Sequence, residues 1–270
     1  MPDKAVSSFE LLFPIEKHIH YKEIDSTNTE ARRLLNDRPI AELEGTVITA
    51  DYQSAGKGRI EGRKFFSPAN AGLYMSVIIR PTDSLISTDL YTAAAGVAVC
   101  RTIEKLTNQK PGIKWVNDIF LNGKKVCGIL AEGTLTPEGG IEAVILGIGV
   151  NLREAENGFP EELRTIAGTL SDNDNQSLLS TDSFRAELLN QLSQALDSVN
   201  TEETIKAYQQ LSLVVGKQVT VLAGNNTYMA KVLEVTKKCH LIVCPLDENG
   251  EMASSEKKEL LSGEVSLKFN

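Results

Sequence analysis

Apolar runs divided by short polar stretches mark out the first part of this chain. TVITADYQ (46–53), LYMSVIIR (73–80) and IEAVILGIGVNL (141–152) read as strands, the last of them buried. YKEID (21–25) reads as a strand end and STNTEARRLLND as a short helix. Thr27 and Glu30 have the spacing of a capping box, and Asn36-Asp37-Arg38-Pro39 stops that helix. Residues 88–107, TDLYTAAAGVAVCRTIEKLT, predict a helix rich in small residues that suits close packing on a sheet. GIKWVNDIFL, Asn122-Gly123 and KKVCGILAEG predict a hairpin, because Asn-Gly between apolar runs is the preferred type I′ loop.

The pattern then changes. Residues 153–180 are polar and loop-rich, after which Phe184, Leu188, Leu192, Leu196 and Val199 share one side of a helix. TEETIKAYQQL predicts a second helix. Beyond about residue 211 the chain breaks into short strands divided by turns: LVVGKQVTVLAG, TYMAKVLEVT, HLIVCPLDENGE and GEVSLKF. This predicts a small β-barrel with its own core. The layout is α+β, with a larger domain over 1–211 and a small β module over 212–270.

With 270 residues, 41% of them hydrophobic, the chain can bury a substantial core. A formal net charge of −8 argues against a general nucleic-acid binder, because phosphate backbones demand a basic face. MPDKAVSSFELLFP lacks the basic start and apolar run of a signal peptide. No stretch reaches the roughly 18 uninterrupted apolar residues needed to cross a bilayer, so the expectation is a soluble, cytoplasmic protein without membrane contact. Cysteines 100, 127, 239 and 244 form no CxxC pair, and Cys100 and Cys127 read as small core residues. His18 and His20 are the one close histidine pair, and without a third ligand no metal site is assigned.

Against that acidic background, GKGRIEGRK (56–64) puts four cations and three glycines into nine positions. It lies between two predicted strands, where glycines let backbone N–H groups approach a ligand closely. It reads either as a solvated basic turn or as a holder of an oligo-anion. It is not a Walker A loop, since Gly58 follows Lys57 and no Ser or Thr is placed to hold magnesium. Counting outward from Asn122-Gly123 pairs Leu121 with Lys124, Phe120 with Lys125, Asp118 with Cys127 and Asn117 with Gly128. Asp118 and Lys125 then become diagonal neighbours on one face, as a surface salt bridge or an anion site. Ser26 and Thr27 serve as helix cap or as ligand donors, and Gln53 is equally ambiguous. Gly147-Ile148-Gly149-Val150-Asn151 places small residues before an amide able to read a base or ribose, or simply ends a strand.

DSTN (25–28), YQSAGKGR (52–59), GRKFFSP (62–68), KWVND (114–118), KVCGILAE (125–132) and GIGVN (147–151), in this order, resemble the biotin protein ligase family. GEVSLKF is similar to that family's small capping domain. The resemblance implies a mixed-sheet catalytic domain of the biotin/lipoate ligase type with a C-terminal SH3-like β-barrel. It implies an enzyme that joins the biotin carboxylate to the α-phosphate of ATP, with Mg2+ on the phosphates. The biotinyl group then passes to one lysine of a biotin carboxyl carrier protein or domain of a carboxylase. Carried over by position, Ser26, Thr27, Asn28 and Gln53 would hold biotin, with Gly56 and Gly128 lining its slot and Lys57 and Arg59 covering its carboxylate. Arg59, Arg63, Phe65, Asn117, Lys125 and Asn151 would serve ATP. Lys125, which also contacts biotin, Arg59 and Asp118 would be the catalytic group.

There are departures from the family pattern GRGRxGRxW and KWPND. Arg59 and Arg63 stand one residue further apart, Phe65 occupies the tryptophan place, Lys57 replaces arginine and Val116 replaces proline. About 20 residues precede DSTN, too few for the helix-turn-helix domain that many relatives carry. The resemblance therefore implies an enzyme without DNA binding or repressor activity, working as a monomer or homodimer.

Overall fold

The computed structural model of the protein describes residues 17–60, 62–171, 179–199, 201–223, 226–252, 257–261 and 264–266. The reading of residues 1–14, and all but 264–266 of GEVSLKF, lie outside the described residues.

The larger part of the chain is built on a seven-stranded sheet: β1 (Lys17–Ile24), β2 (Thr46–Gln53), β3 (Gly72–Ile79), β4 (Gly112–Lys114), β5 (Asp118–Leu121), β6 (Lys124–Leu135) and β7 (Ile141–Asn151). Its order is β1-β2-β3-β7-β6-β5-β4, with β1 and β2 parallel and the other neighbours antiparallel. Helix α1 (Thr27–Asp37) and the short α2 (Ile40–Leu43) cover one face, where Ala31 and Leu43 meet Ile48, Ile78 and Ile145. On the other face lies α3 (Thr88–Thr107), whose Ala93, Ala94, Ala95 and Ala98 are fully buried. Small side chains let this helix approach the sheet, and Gly96 sits against Ile113 and Ile129. Ser87 caps the start of α3 by accepting from Asp89 N (3.2 Å), and Asn108 ends it in the left-handed conformation. Helices α4 (Thr181–Asp197) and α5 (Glu202–Gln210) pack outside α3.

Three expectations are corrected. The segment GIKWVNDIFL is not one strand: Trp115–Asn117 form a turn between β4 and β5. In the hairpin, Asn122 (φ 50°) and Gly123 (φ 75°) make the anticipated turn, and Leu121–Lys124 and Phe120–Lys125 pair as expected. Beyond them the register slips by one residue, so that Ile119 pairs with Cys127 and Asp118 with Gly128. Val126 is the extra residue of a β-bulge, and it joins Cys127 and Ile119 in the core beneath α3. Cys127 therefore does not share a face with Lys125.

The third correction concerns the C-terminal module. Strands β8 (Gln218–Ala223), β9 (Asn226–Val235), β10 (Leu241–Pro245), β11 (Lys258–Leu260) and β12 (Glu264–Ser266) form a five-stranded antiparallel sheet ordered β11-β10-β9-β8-β12. Its apolar residues, Val219, Val221, Val232, Leu241 and Val243 among them, belong to one continuous cluster with α3 and the large sheet. A module this small gains more by sharing a core than by closing its own. No helix of the described residues is long and apolar enough to cross a membrane.

Candidate functional site

Strands β2, β6 and β7, the start of α1 and the basic loop converge on two adjoining cavities. The narrower, about 50 Å³, is walled by Ser26, Thr27, Asn28, Gln53, Lys57, Gly128, Gly147 and Gly149, with Met75, Ile129, Leu130 and Ile148 as its apolar surface. The wider, about 560 Å³, is walled by Arg63, Lys64, Lys114, Trp115, Asp118, Phe120, residues of the loop 163–166 and Val265 of β12. Gly58, Arg59, Phe65, Asn117 and Lys125 line both.

The slot is lined by polar groups because the ends of α1 and β2 meet there. Thr27 does not act as a capping hydroxyl. The N-cap is Ser26, which makes no side-chain cap bond. The amide of Gln53, reaching from β2, takes the helix's orphan donor instead: Thr27 N donates to Gln53 Oε1 at 2.8 Å, and Thr27 Oγ1 donates to it at 3.2 Å. Gln53 Nε2 donates to Ser67 Oγ at 2.9 Å, so both ends of this amide are fixed. Ser76 Oγ donates to Asn28 Oδ1 (2.6 Å) and lies 2.7 Å from the Thr27 hydroxyl, and Asn28 Nδ2 donates to Glu132 Oε2 (2.7 Å). Ser67, Ser76 and Glu132 are site-supporting residues that sequence reasoning missed. A hydroxyl and a carboxylate inside the apolar strands β3 and β6 were the available signal for Ser76 and Glu132, and Ser67 lies in the loop between β2 and β3.

Glycines form the floor. A Cβ on Gly149 would lie 2.5 Å from the Phe65 ring, and one on Gly128 would lie 3.1 Å from it. Phe65 thus rests flat on a bare stretch of β6 and β7, with its edge toward Tyr74. Gly56 is buried beside the Phe65 carbonyl and the Ser67 hydroxyl, and it supports the wall without lining either cavity. The basic loop folds back as a narrow ribbon: Lys57 bridges Lys64, Gly58 N donates to Arg63 O (2.9 Å), and Phe65 N donates to Gly56 O (2.9 Å). This ribbon brings Arg59 over the cavity, where its Nε donates to Asn117 Oδ1 at 3.2 Å.

Where the two cavities meet, Lys125 Nζ stands 2.5 Å from Asp118 Oδ1. That oxygen is buried and faces the ammonium as an ion pair, off the axis of an aligned hydrogen bond. Lys114 lies over the Phe120 ring, 5.6 Å from its centre. Arg59, Arg63, Lys64, Lys114 and Lys125 thus surround the wider cavity, with Asp118 as its single carboxylate among the described residues. In a low-dielectric hollow such a set attracts and holds an oligo-anion. Among the described residues no three His, Cys, Asp or Glu side chains gather as a metal site. Asn151 is not brought to either cavity. Its Nδ2 donates to Gly168 O (3.1 Å), tying the end of β7 to the loop that walls the wider one.

The sequence profile described as the Biotin/lipoate A/B protein ligase family matches residues 21–151. The bifunctional ligase/repressor BirA of Bacillus subtilis (strain 168) is 41% identical over 156 residues, 57% of this chain and 46% of that protein. A biotin–[acetyl-CoA-carboxylase] ligase of Mycobacterium tuberculosis is 35% identical over 149 residues, 54% of this chain and 52% of that protein. This chain therefore spans about half the length of these relatives. Among solved structures, a biotin protein ligase from Aquifex aeolicus in complex with biotin and ATP superposes with a TM-score of 0.73 at 28% identity, covering 94% of this chain and 100% of that one. Residues 21–151, which carry the slot, the basic loop and the Lys125–Asp118 pair, are the stretch that matches the biotin/lipoate A/B protein ligase family.

Proposed function

We propose that this protein is an ATP-dependent biotin protein ligase. The observation that carries the reading is the place of Lys125: it lines both cavities at their junction and is held there by Asp118. In this reading the narrow slot takes the ureido end of biotin through Ser26, Thr27, Asn28 and Gln53, and the wide cavity takes ATP. A carboxylate oxygen of biotin attacks the α-phosphorus and pyrophosphate leaves. The amine of an acceptor lysine then attacks the acyl carbon and AMP leaves.

Two anions must approach each other in the first step. Fixed cations that tighten on the charge as it moves to pyrophosphate lower that barrier. Lys125 and Arg59 bridge the reacting groups, Lys57 covers the biotin carboxylate, and Arg63 reaches the outer phosphates. Phe65 offers a face to the adenine, and Asn117 fixes Arg59 above the junction. Asn151 acts through the loop it holds at Gly168, and Gly56 through the packing beneath the slot. Asp118 is placed to receive the acceptor lysine's proton once the adenylate has formed.

Magnesium would arrive on the phosphates and neutralise part of their charge. Among the described residues the cavity offers Asp118 alone as a carboxylate, which suits an ion that keeps its waters and is held chiefly by its substrate. The acceptor is a biotin carboxyl carrier protein or domain, as the carboxylase named in the relative from Mycobacterium suggests. The net charge of −8 supports a protein without operator binding, and electrophoretic mobility with operator-like DNA checks it. Residues 1–211 form the catalytic domain and 212–270 the small one, in a cytoplasmic monomer or homodimer. The deciding experiment is pyrophosphate release from ATP with biotin, lipoate or octanoate as co-substrate. Release with biotin alone supports the reading, and release with lipoate or octanoate in its place sinks it.

A further inference from the structure

The turn Trp115–Asn117 is held by elements remote in the chain. The Trp115 indole Nε1 donates to the Cys239 carbonyl at 2.6 Å, 124 residues away and across to the small sheet. The Tyr208 hydroxyl, buried on α5, donates to the Val116 carbonyl at 2.9 Å. Ile129 N donates to the Asn117 carbonyl at 3.0 Å, and Asn117 Nδ2 donates to the Ile129 carbonyl at 2.9 Å. Strand β4, which leads into the turn, is gripped by the inter-module segment: Ile113 N donates to Leu211 O (2.8 Å) and Leu213 N to Ile113 O (2.9 Å). Cys239 itself sits between β9 and β10 with φ 63°, a conformation costly for most side chains, and this aims its carbonyl at the indole.

We propose that Trp115 and Tyr208 are positioning residues for the reaction, and that the small sheet acts on the site through the Cys239 carbonyl. The proposal rests on the ligase reading above. The next two residues in the chain are those that matter at the junction: Asn117, which receives Arg59, and Asp118, which pairs with Lys125. Two buried donors on two successive backbone segments fix the path from which both side chains emerge. Loosening either bond lets Asn117 and Asp118 drift together, and the cations they hold drift with them. The slot formed by Ser26, Thr27 and Gln53 has its own hydrogen bonds and shares none with this clamp.

The test compares Trp115→Phe, Tyr208→Phe, Cys239→Gly and Cys239→Val in the full chain. The readouts are biotin-dependent pyrophosphate release and hydrogen exchange at the Trp115 indole, the chain's single tryptophan. Both donor deletions should lower kcat about tenfold with KM for biotin unchanged, as expected of misplacement rather than lost binding. Cys239→Gly should keep kcat, because glycine adopts the same backbone freely, whereas Cys239→Val should lose it and expose the indole proton to exchange. Should Cys239→Val fail to fold, Tyr208→Phe with exchange at the Ile129 amide carries the comparison. Near-normal kcat in both donor deletions overturns the proposal, as does a biotin KM that rises in step with the loss. If the wild type releases no pyrophosphate with biotin, the ligase reading fails separately. A rapidly exchanging indole proton in the wild type would then still refute the clamp.

Discussion

Lys125 and Asp118 form their ion pair without facing each other across the β5–β6 ladder. The cross-strand partner of Lys125 is Phe120, and that of Asp118 is Gly128. The bulge at Val126 separates the two by one more residue than a regular hairpin would. The long lysine side chain spans that gap, and the glycine opposite Asp118 leaves the space it crosses. Side-chain exposures of 27% and 23% place the pair mostly out of water, where attraction is stronger than at the surface, while both groups stay within reach of a ligand.

Replacing Lys125 with Ala should therefore do more than delete a cation. It takes from the buried Asp118 Oδ1 the ammonium that faces it, and it removes the one lysine that lines both cavities among the described residues. We expect kcat for pyrophosphate release to fall by about 10²–10³-fold, the usual scale for a lost electrostatic stabiliser. Circular dichroism should show the fold retained. Turnover within a few-fold of wild type would remove Lys125 from the catalytic group.

Much of the fold was legible because its strongest signals are local. Asn122-Gly123 dictates a tight turn, and the small residues of 88–107 dictate a helix pressed against a sheet. What the chain hides are consequences of distant contacts. Nothing in KKVCGIL announces a bulge, since a two-residue turn fixes only the first pairs and packing under α3 decides whether Val126 and Cys127 go inward. Thr27 has the spacing of a capping residue, yet Gln53 takes its backbone donor. Asn151 follows two glycines in a promising motif, but the loop at Gly168 claims its amide. Most residues singled out in motifs line the two cavities, Gly56 and Asn151 excepted. The hydroxyls that hold them, Ser67 and Ser76, were given no role: Ser67 lies in the segment GRKFFSP but in a loop, where its reach to Gln53 is invisible, and Ser76 is a lone serine in a strand that carries no pattern.

Ser76 is fully buried, and its hydroxyl donates to Asn28 Oδ1 and lies against the Thr27 hydroxyl. Substitution by Ala leaves Asn28 Oδ1 without this donor inside the sheet–helix contact. A stability loss of about 1–3 kcal/mol is expected from the unmet acceptor. Because Thr27 and Asn28 line the slot, KM for biotin should rise while kcat changes little. Thermal unfolding and steady-state kinetics check the two halves. A raised melting temperature would show that this hydrogen-bonded knot is not a stabilising one.

All four cysteines are free and buried. Burial pushes the Cys100 and Cys239 thiols up to about 12 from an ordinary 9.0, and it holds Cys127 well above that ordinary value. The folded state therefore keeps protons that the unfolded chain releases above pH 9.0. By linkage this contribution is fully present below that pH and is lost as pH rises toward about 12. Denaturant midpoints should fall between pH 8.5 and 10.5, a window of about two units chosen to straddle the free thiol value. Replacing Cys100 with Ala should flatten that fall. A slope unchanged by the substitution would assign the alkaline loss to other groups.

Gly149 tests whether the bare floor is required for Phe65. A methyl there would meet the ring at 2.5 and 2.7 Å, distances that real contacts do not tolerate, so the ring must move. Phe65 has little room on its own side, since its backbone N–H is bonded to Gly56 O and its carbonyl receives Ser67 Oγ. Gly149→Ala should thus tilt the ring toward the slot, raise KM for both biotin and ATP, and cost about 1–3 kcal/mol of stability by overpacking. Trimming the ring should relieve the clash: Gly149→Ala with Phe65→Leu should be more stable than Gly149→Ala alone. The double variant should not recover ATP affinity fully, because the flat face is gone. A double-mutant cycle in unfolding free energy and KM measures the coupling, and strict additivity would show that Phe65 does not rest on this glycine in solution.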